Sequence, residues 1–244
     1  MKKLYVVLLC FISYSSYALS TKIAGQLTVC AYSEFKPLSY GEGLGFESNL
    51  LKKIAHSLHL KIKFYPEKIY EQLWAMPSKA YTICDVAIGG FSKTKLREEQ
   101  GAVFSLPTIK FSQSLLVRAN EAPAYTSITN FNNKKIGVVP GTTGAIYAIQ
   151  RLKEAKLNWE NIIVNYPSES ELLPALQTRK IDAIARGEIG NKYQEKLNPA
   201  FKTILPRNFA EGFAIVVDKN NPELLNAINQ QITQLQKQGL PELK

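Results

Sequence analysis

The sequence predicts an α/β fold of mostly parallel sheets covered by helices, on three observations. Short apolar runs alternate with helix-spaced ones along most of the 244 residues, which is the wiring of βαβ units. Phe46, Leu50, Ile54 and Leu58 recur at helical spacing, with Lys52 and Lys53 between them. Two strand-to-helix junctions, at Gly89-Gly90 and at Gly141-Thr142-Thr143-Gly144, are built from glycine and small hydroxyl residues. Glycine there lets the backbone come close to a ligand.

Taken in order, Met1-Lys2-Lys3, the apolar run 4–12 and the small-residue end Ser16-Tyr17-Ala18 read as a cleaved secretion signal, residues 1–18. The apolar run is too short for a bilayer, which takes about 20 residues. Cys10 follows Leu8-Leu9 rather than a small residue, so no lipid anchor is expected. The mature product is expected to be a soluble monomer in the periplasm.

Residues 26–32 read as an apolar strand, 33–45 as a loop rich in Pro, Gly and aromatic residues, and 46–58 as the amphipathic helix. A strand at 60–65, a helix at 69–76, a loop at 77–81 and the strand beginning at Cys84 follow. Next come a polar turn at 95–100, a strand at 112–118 and a polar, loop-like stretch at 119–133. A second α/β unit runs through strand 136–139, helix 145–156, strand 162–165, helix 168–178 and strand 181–185. Strand 213–217 and a long helix at 221–238, with Pro222 in its first turn, come last.

At the first junction Ser92 and Thr94 are both potential caps of the turn at 95–100, and Thr94 is better placed. Free N–H groups at such a junction suit an anion, and Arg97 adds a planar fork of donors. Alone, Arg97 is a surface arginine on a charged turn and Thr142-Thr143 an ordinary helix cap. The two junctions together suggest one ligand held between two layers.

These pieces come in a recognisable order: Leu27–Cys30, Pro37–Tyr40, Gly45–Leu50, Asp85-Val86, Thr94 with Arg97, and Phe104–Pro107. Lys134–Val138, Gly141–Thr143, Asp182-Ala183 and Asn221–Leu224 continue it. Over residues 26–241 the chain thereby resembles the bacterial extracellular solute-binding proteins of the polar-amino-acid type, the periplasmic receptors of ABC importers. The resemblance implies a two-lobed fold, with lobe one at 26–113 plus 213–244 and lobe two at 118–208. Hinge strands near 112–118 and 210–217 would join them, with the ligand in the cleft between.

For the site, the resemblance implies that Arg97, Ser92, Thr142 and Thr143 hold the carboxylate of a small amino acid. The Gly90 carbonyl and the Ser92 hydroxyl would face its ammonium group. Phe35 and Tyr70 would be aromatic walls, although Phe35 also reads as core filling and Trp74 competes with Tyr70 as the inward ring. One departure stands out. The family's ammonium-binding aspartate falls on Gly187, which leaves either Glu188 as its substitute, or a ligand without an amino group whose second acidic group Arg186 helps to hold. Tyr32 falls where some members carry an aspartate for a cationic side chain, so a basic ligand loses its simplest support.

With 30 basic and 20 acidic residues the net charge is +10, and loss of Lys2 and Lys3 leaves +8. No basic helix or aromatic-interleaved groove accompanies it, so a solvated face is expected and nucleic acid is not. Cys30 and Cys84 remain after processing. The resemblance brings their strands together, which leaves a bridge in an oxidising compartment or two buried thiols. Two cysteines, with His56 and His59 on the polar side of a helix, give a metal site little support; no cofactor is expected. The expected partner is an inner-membrane ABC permease. Other readings are a secreted dehydratase-like enzyme of the same fold, for which no catalytic set can be assembled, and a receptor for a signalling partner.

Overall fold

The computed structural model describes residues 19–70, 73–75, 83–205 and 211–238. The signal expected at 1–18, the loop expected at 77–81 and the last residues, 239–244, lie outside the described residues. Of the helix expected at 69–76, one 3-10 turn, Leu73–Ala75, is described.

The first half of the chain opens with strand β1 (Gln26–Tyr32), the short β2 (Glu34–Phe35) and β3 (Ser39–Tyr40), helix α1 (Phe46–Ser57) and β4 (Lys61–Glu67). It continues with β5 (Val86–Ile88), α2 (Lys95–Glu99), β6 (Val103–Phe104), β7 (Ile109–Phe111) and β8 (Gln113–Arg118). The second half comprises β9 (Ile136–Val138), α3 (Thr143–Glu154), α4 (Trp159–Ile162), β10 (Ile163–Asn165) and α5 (Glu169–Gln177). Then come β11 (Ala183–Gly187), α6 (Glu188–Leu197), β12 (Phe201–Ile204), β13 (Glu211–Phe213), β14 (Val216–Val217) and α7 (Pro222–Gln238).

Two five-stranded sheets result, in the orders β4-β1-β5-β14-β6 and β10-β9-β11-β8-β12. In the first, β4, β1 and β5 are parallel, and β14 lies antiparallel between β5 and β6. In the second, β10, β9 and β11 are parallel, and β8 lies antiparallel between β11 and β12. Each sheet therefore has a single reversed strand, and in each it is the strand that has just arrived from the other sheet. The crossings themselves pair: β7 and β13 form a two-stranded antiparallel ladder with Phe111 opposite Glu211 and Ile109 opposite Phe213. This is the two-lobed α/β architecture. The first crossing strand, β7, lies just ahead of the stretch expected near 112–118, because Gln113–Arg118 is paired on both edges within the second sheet, while β13 lies inside the stretch expected near 210–217.

The packing follows from the patterns. Helix α1 buries Phe46, Leu50, Leu51 and Ile54 on one stripe, and α7 buries Leu224, Ile228 and Ile232, each worth about 1.5–3 kcal/mol when taken from water. Cys30 and Cys84 are bridged, with Cα atoms 5.8 Å apart, which decides between the two readings of those residues. The stretch 119–133 is not a plain loop. It holds 3-10 helices at Ala119–Ala124 and Ile128–Phe131, the second fixed by a Ser127/Asn130 capping box that buries Ile128 and Phe131. Helix α6 and strand β12 had no counterpart in the expected elements.

Candidate functional site

The site lies where the carboxyl ends of the strands of both sheets face each other, the usual place for a ligand in open α/β sheets. On the first lobe, β5 ends in Gly89-Gly90. Gly90 has φ 67°, and a Cβ there would lie 2.5 Å from the Phe35 ring, so only glycine fits both backbone and neighbour. Its N–H donates to Glu47 Oε2 at 2.8 Å, and its carbonyl accepts from the Tyr70 hydroxyl at 3.2 Å. Burial pushes Glu47 up to about 7, against the pull of the Gly90 and Gly89 amides.

Thr94 caps α2, its hydroxyl accepting from the Arg97 amide at 3.3 Å. That cap sets Arg97 pointing inward, with only 3% of it exposed. Its guanidinium donates to the Ser92 carbonyl at 2.8 Å, to the Gly141 carbonyl at 2.9 Å and to the Tyr70 hydroxyl at 3.4 Å. It also lies over the Trp74 ring at 5.5 Å and the Tyr70 ring at 5.9 Å. No carboxylate pairs with it among the described residues. Burial raises the Tyr70 phenol above its ordinary range, while Arg97 pulls the other way.

On the second lobe, Thr142 caps α3, accepting from the Ala145 amide at 3.1 Å and donating to the Val139 carbonyl at 2.7 Å. Thr143 follows with its hydroxyl free of capping duty. It accepts from Gln113 Nε2 at 2.9 Å and lies 3.0 Å from the Ser92 hydroxyl of the other lobe. A Cβ on Gly144 would come within 2.7 Å of the Ala185 carbonyl and of Arg186 Cα, so glycine lets the start of α3 sit directly on β11.

Between these walls is a small, partly enclosed cavity. Tyr32, Phe35, Tyr70, Phe111 and Phe213 supply its aromatic lining, and Gly90, Gln113, Thr142–Gly144, Glu169, Arg186 and Gly187 the rest. Phe111 and Phe213, on the two crossing strands, stack with centroids 3.7 Å apart at the floor.

Five of the expected residues, Phe35, Tyr70, Gly90, Thr142 and Thr143, line this cavity. Ser92 and Arg97 stand one contact behind it, bonded to Thr143 and to Gly141 and Tyr70. Glu188 is placed differently. It opens α6 just beyond the end of β11 and pairs with Lys192 one turn on, at 2.5 Å, and it is not among the lining residues.

The buried carboxylate in the cavity wall is Glu169, which pairs with Arg186 at 2.8 Å, with both side chains under a tenth exposed. Reading the residues in sequence missed it, although Glu169 opens a helix after a strand just as Thr143 does. Burial and the neighbouring Glu169 raise the Tyr32 phenol, so it stays protonated. His56 and His59 are both exposed at the end of α1. Among the described residues no group of three or more His, Cys, Asp and Glu is placed to hold a metal.

Comparisons with known proteins agree with the fold. The profile of the bacterial extracellular solute-binding proteins, family 3, matches residues 27–242. The ABC transporter arginine-binding protein 1 of Escherichia coli K12 is 23% identical over 98% of this chain and 95% of its own. The L-cystine-binding protein TcyJ of the same strain is 25% identical over 93% of this chain and 84% of its own. Among solved structures, an ancestral arginine-binding protein bound to arginine superposes with a TM-score of 0.78 at 26% identity, covering 88% of this chain and 94% of that one.

Proposed function

The chain belongs to the bacterial extracellular solute-binding proteins of family 3, and from that premise we propose that it captures a small amino acid between two closing lobes. It is a binding protein of the periplasm rather than an enzyme; nothing supports the dehydratase alternative. The solute's α-carboxylate is held by Arg97, by the hydroxyls of Ser92 and Thr143, and by the N-terminal amides of α3. The closed form, a monomer, delivers the solute to an inner-membrane ABC permease.

The observation that carries this reading is the state of the Arg97 guanidinium. It is buried, without a carboxylate partner among the described residues, and bonded through three of its N–H groups to protein oxygens of both lobes. Five donors in a planar fork leave two for an incoming carboxylate, and the Gly141 carbonyl is a partner that an anion outcompetes. Thr143, at the first turn of α3, adds the positive end of the helix dipole. The aromatic lining suits the remainder of a small solute. Lobe one, 26–113 with 213–244, and lobe two, 118–208, move about the β7–β13 ladder.

The test is a thermal-shift screen of the mature protein against the twenty amino acids and small organic acids, followed by solution scattering with each hit. The expected result is stabilisation by at least one amino acid, with a fall in radius of gyration. Stabilisation by none of them would overturn the reading.

A further inference from the structure

We infer that Glu169, held by Arg186, is the cleft's receptor for a protonated nitrogen of the solute, taking the role left open at Gly187. The inference rests on the amino-acid reading above and adds the residue that selects for positive charge.

A side chain at Gly187 would have to displace the aromatic floor. A Cβ there would meet Phe111 Cε2 at 3.1 Å and Phe213 Cζ at 3.5 Å, so the stacked rings of the crossing strands occupy the space. Glu188 is paired with Lys192 and is not among the lining residues. Glu169 remains, and it is the one carboxylate among the cavity's lining residues.

Its setting holds it in place. Arg186 Nη1 donates to Glu169 Oε2 at 2.8 Å, and among the described residues no hydrogen bond to Oε1 is seen. Glu169 is the first residue of α5, where the helix dipole favours a negative charge. The start of that helix is seated on the other lobe: the Glu169 amide donates to the Tyr32 hydroxyl and the Ser170 amide to Glu34 Oε2, both at 3.3 Å. The start of α5 thus touches the first lobe while the Glu169 side chain is held by the second.

Arg186 is the orienting partner rather than a second anion site. Its Nε donates to Asn191 Oδ1 at 2.8 Å and its Nη2 to the Gly190 carbonyl at 3.1 Å. Asn191 in turn donates to the Ser114 hydroxyl at 2.9 Å. Each nitrogen of this guanidinium makes a bond within the second lobe, one of them to Glu169, so its charge is already paired and a second acidic group on the solute would have to compete with Glu169 for it. A cation finds Glu169 Oε1. The chemistry is that of a protonated nitrogen, whether the α-ammonium or a basic side chain.

The experiment is calorimetry of wild type, Glu169→Gln, the double variant Glu169→Gln/Arg186→Met, and Arg97→Ala. The probes are the twenty amino acids and, for each that binds, the acid lacking its α-amino group and any neutral-side-chain analogue. The double variant removes both charges, so no buried guanidinium is stranded. Both Glu169 variants should lose about thirtyfold or more in affinity for the bound amino acid. One analogue should bind wild type and variants alike, and it identifies which nitrogen Glu169 receives. Full affinity in Glu169→Gln, or recovery of it in the double variant, would overturn the inference while leaving an Arg97-dependent amino-acid site intact. A wild type that binds only acids lacking a protonated nitrogen, or nothing in the panel, overturns it as well. Affinity that ignores Arg97→Ala but depends on Glu169 supports this inference and removes the carboxylate assignment alone.

Discussion

The hydroxyls of Ser92 and Thr143 lie 3.0 Å apart, one on each lobe of the cleft. Gln113 Nε2 holds the threonine from the side at 2.9 Å, and Arg97 holds the serine's carbonyl at 2.8 Å. One contact thus links the arginine of the first lobe to the helix start of the second. Thr143→Val keeps the shape of the side chain and removes the hydroxyl. We expect it to weaken solute binding by about 0.5–1.5 kcal/mol and to leave the folding midpoint without solute nearly unchanged. Calorimetry and thermal melts of the same preparation check both halves.

The Cys30–Cys84 bridge ties β1 to the entry of β5, the strand that carries Gly89-Gly90. Its loss through Cys84→Ser should cost roughly 2–5 kcal/mol of stability. Thiol counting on unreduced, denatured mature protein should find none free, and two per chain would refute the bridge.

Glu47 makes stability depend on pH in an unusual direction. Its carboxyl has a folded value of about 7 against an ordinary 4.5, chiefly from burial. Below 4.5 both folded and unfolded forms are protonated. Between 4.5 and 7 only the unfolded chain releases the proton, so stability falls as pH rises, by about 3 kcal/mol over the interval. Glu47→Gln should flatten that slope while keeping an acceptor for the Gly90 amide. Denaturant titrations at several pH values measure it; an unchanged slope in the variant assigns the effect elsewhere.

Gly187→Asp puts back the side chain expected from the family pattern, yet should not improve the site. The new Cβ already presses on Phe111 at 3.1 Å, and overpacking of this kind costs about 1–3 kcal/mol. A lowered melting temperature without tighter binding is the expected result. A variant as stable as wild type would show that the stacked ring pair yields.

Much of this was legible in the chain. The stripe of Phe46, Leu50 and Ile54 is buried as its spacing implies, and Thr94 and Thr142 cap the helices they were expected to cap. Helix α6 was not legible because its buried residues are Gly190 and Asn191, which leave no apolar stripe to read. Strand β12 is four residues long with one fully buried, too short for an alternation to register. Glu169 looked like an ordinary acidic residue in a first helical turn. Its meaning comes from Arg186, seventeen positions on, and from the fold that brings the two together. Glu188 adjoins Gly187 in sequence, but the strand ends at 187 and a helix starts at 188, so adjacency in the chain does not carry over to the cavity wall.

The carboxylate grip of Arg97 is the centre of the account, and the affinity of Arg97→Ala for the amino acid identified in the screen tests it most directly. Removing the guanidinium leaves the solute's carboxylate buried and unpaired. The predicted loss is about 2–5 kcal/mol, some thirtyfold to several thousandfold, of which Arg97→Lys recovers only part because the planar fork is gone. An Arg97→Ala protein that folds and binds that amino acid as tightly as wild type would contradict the account.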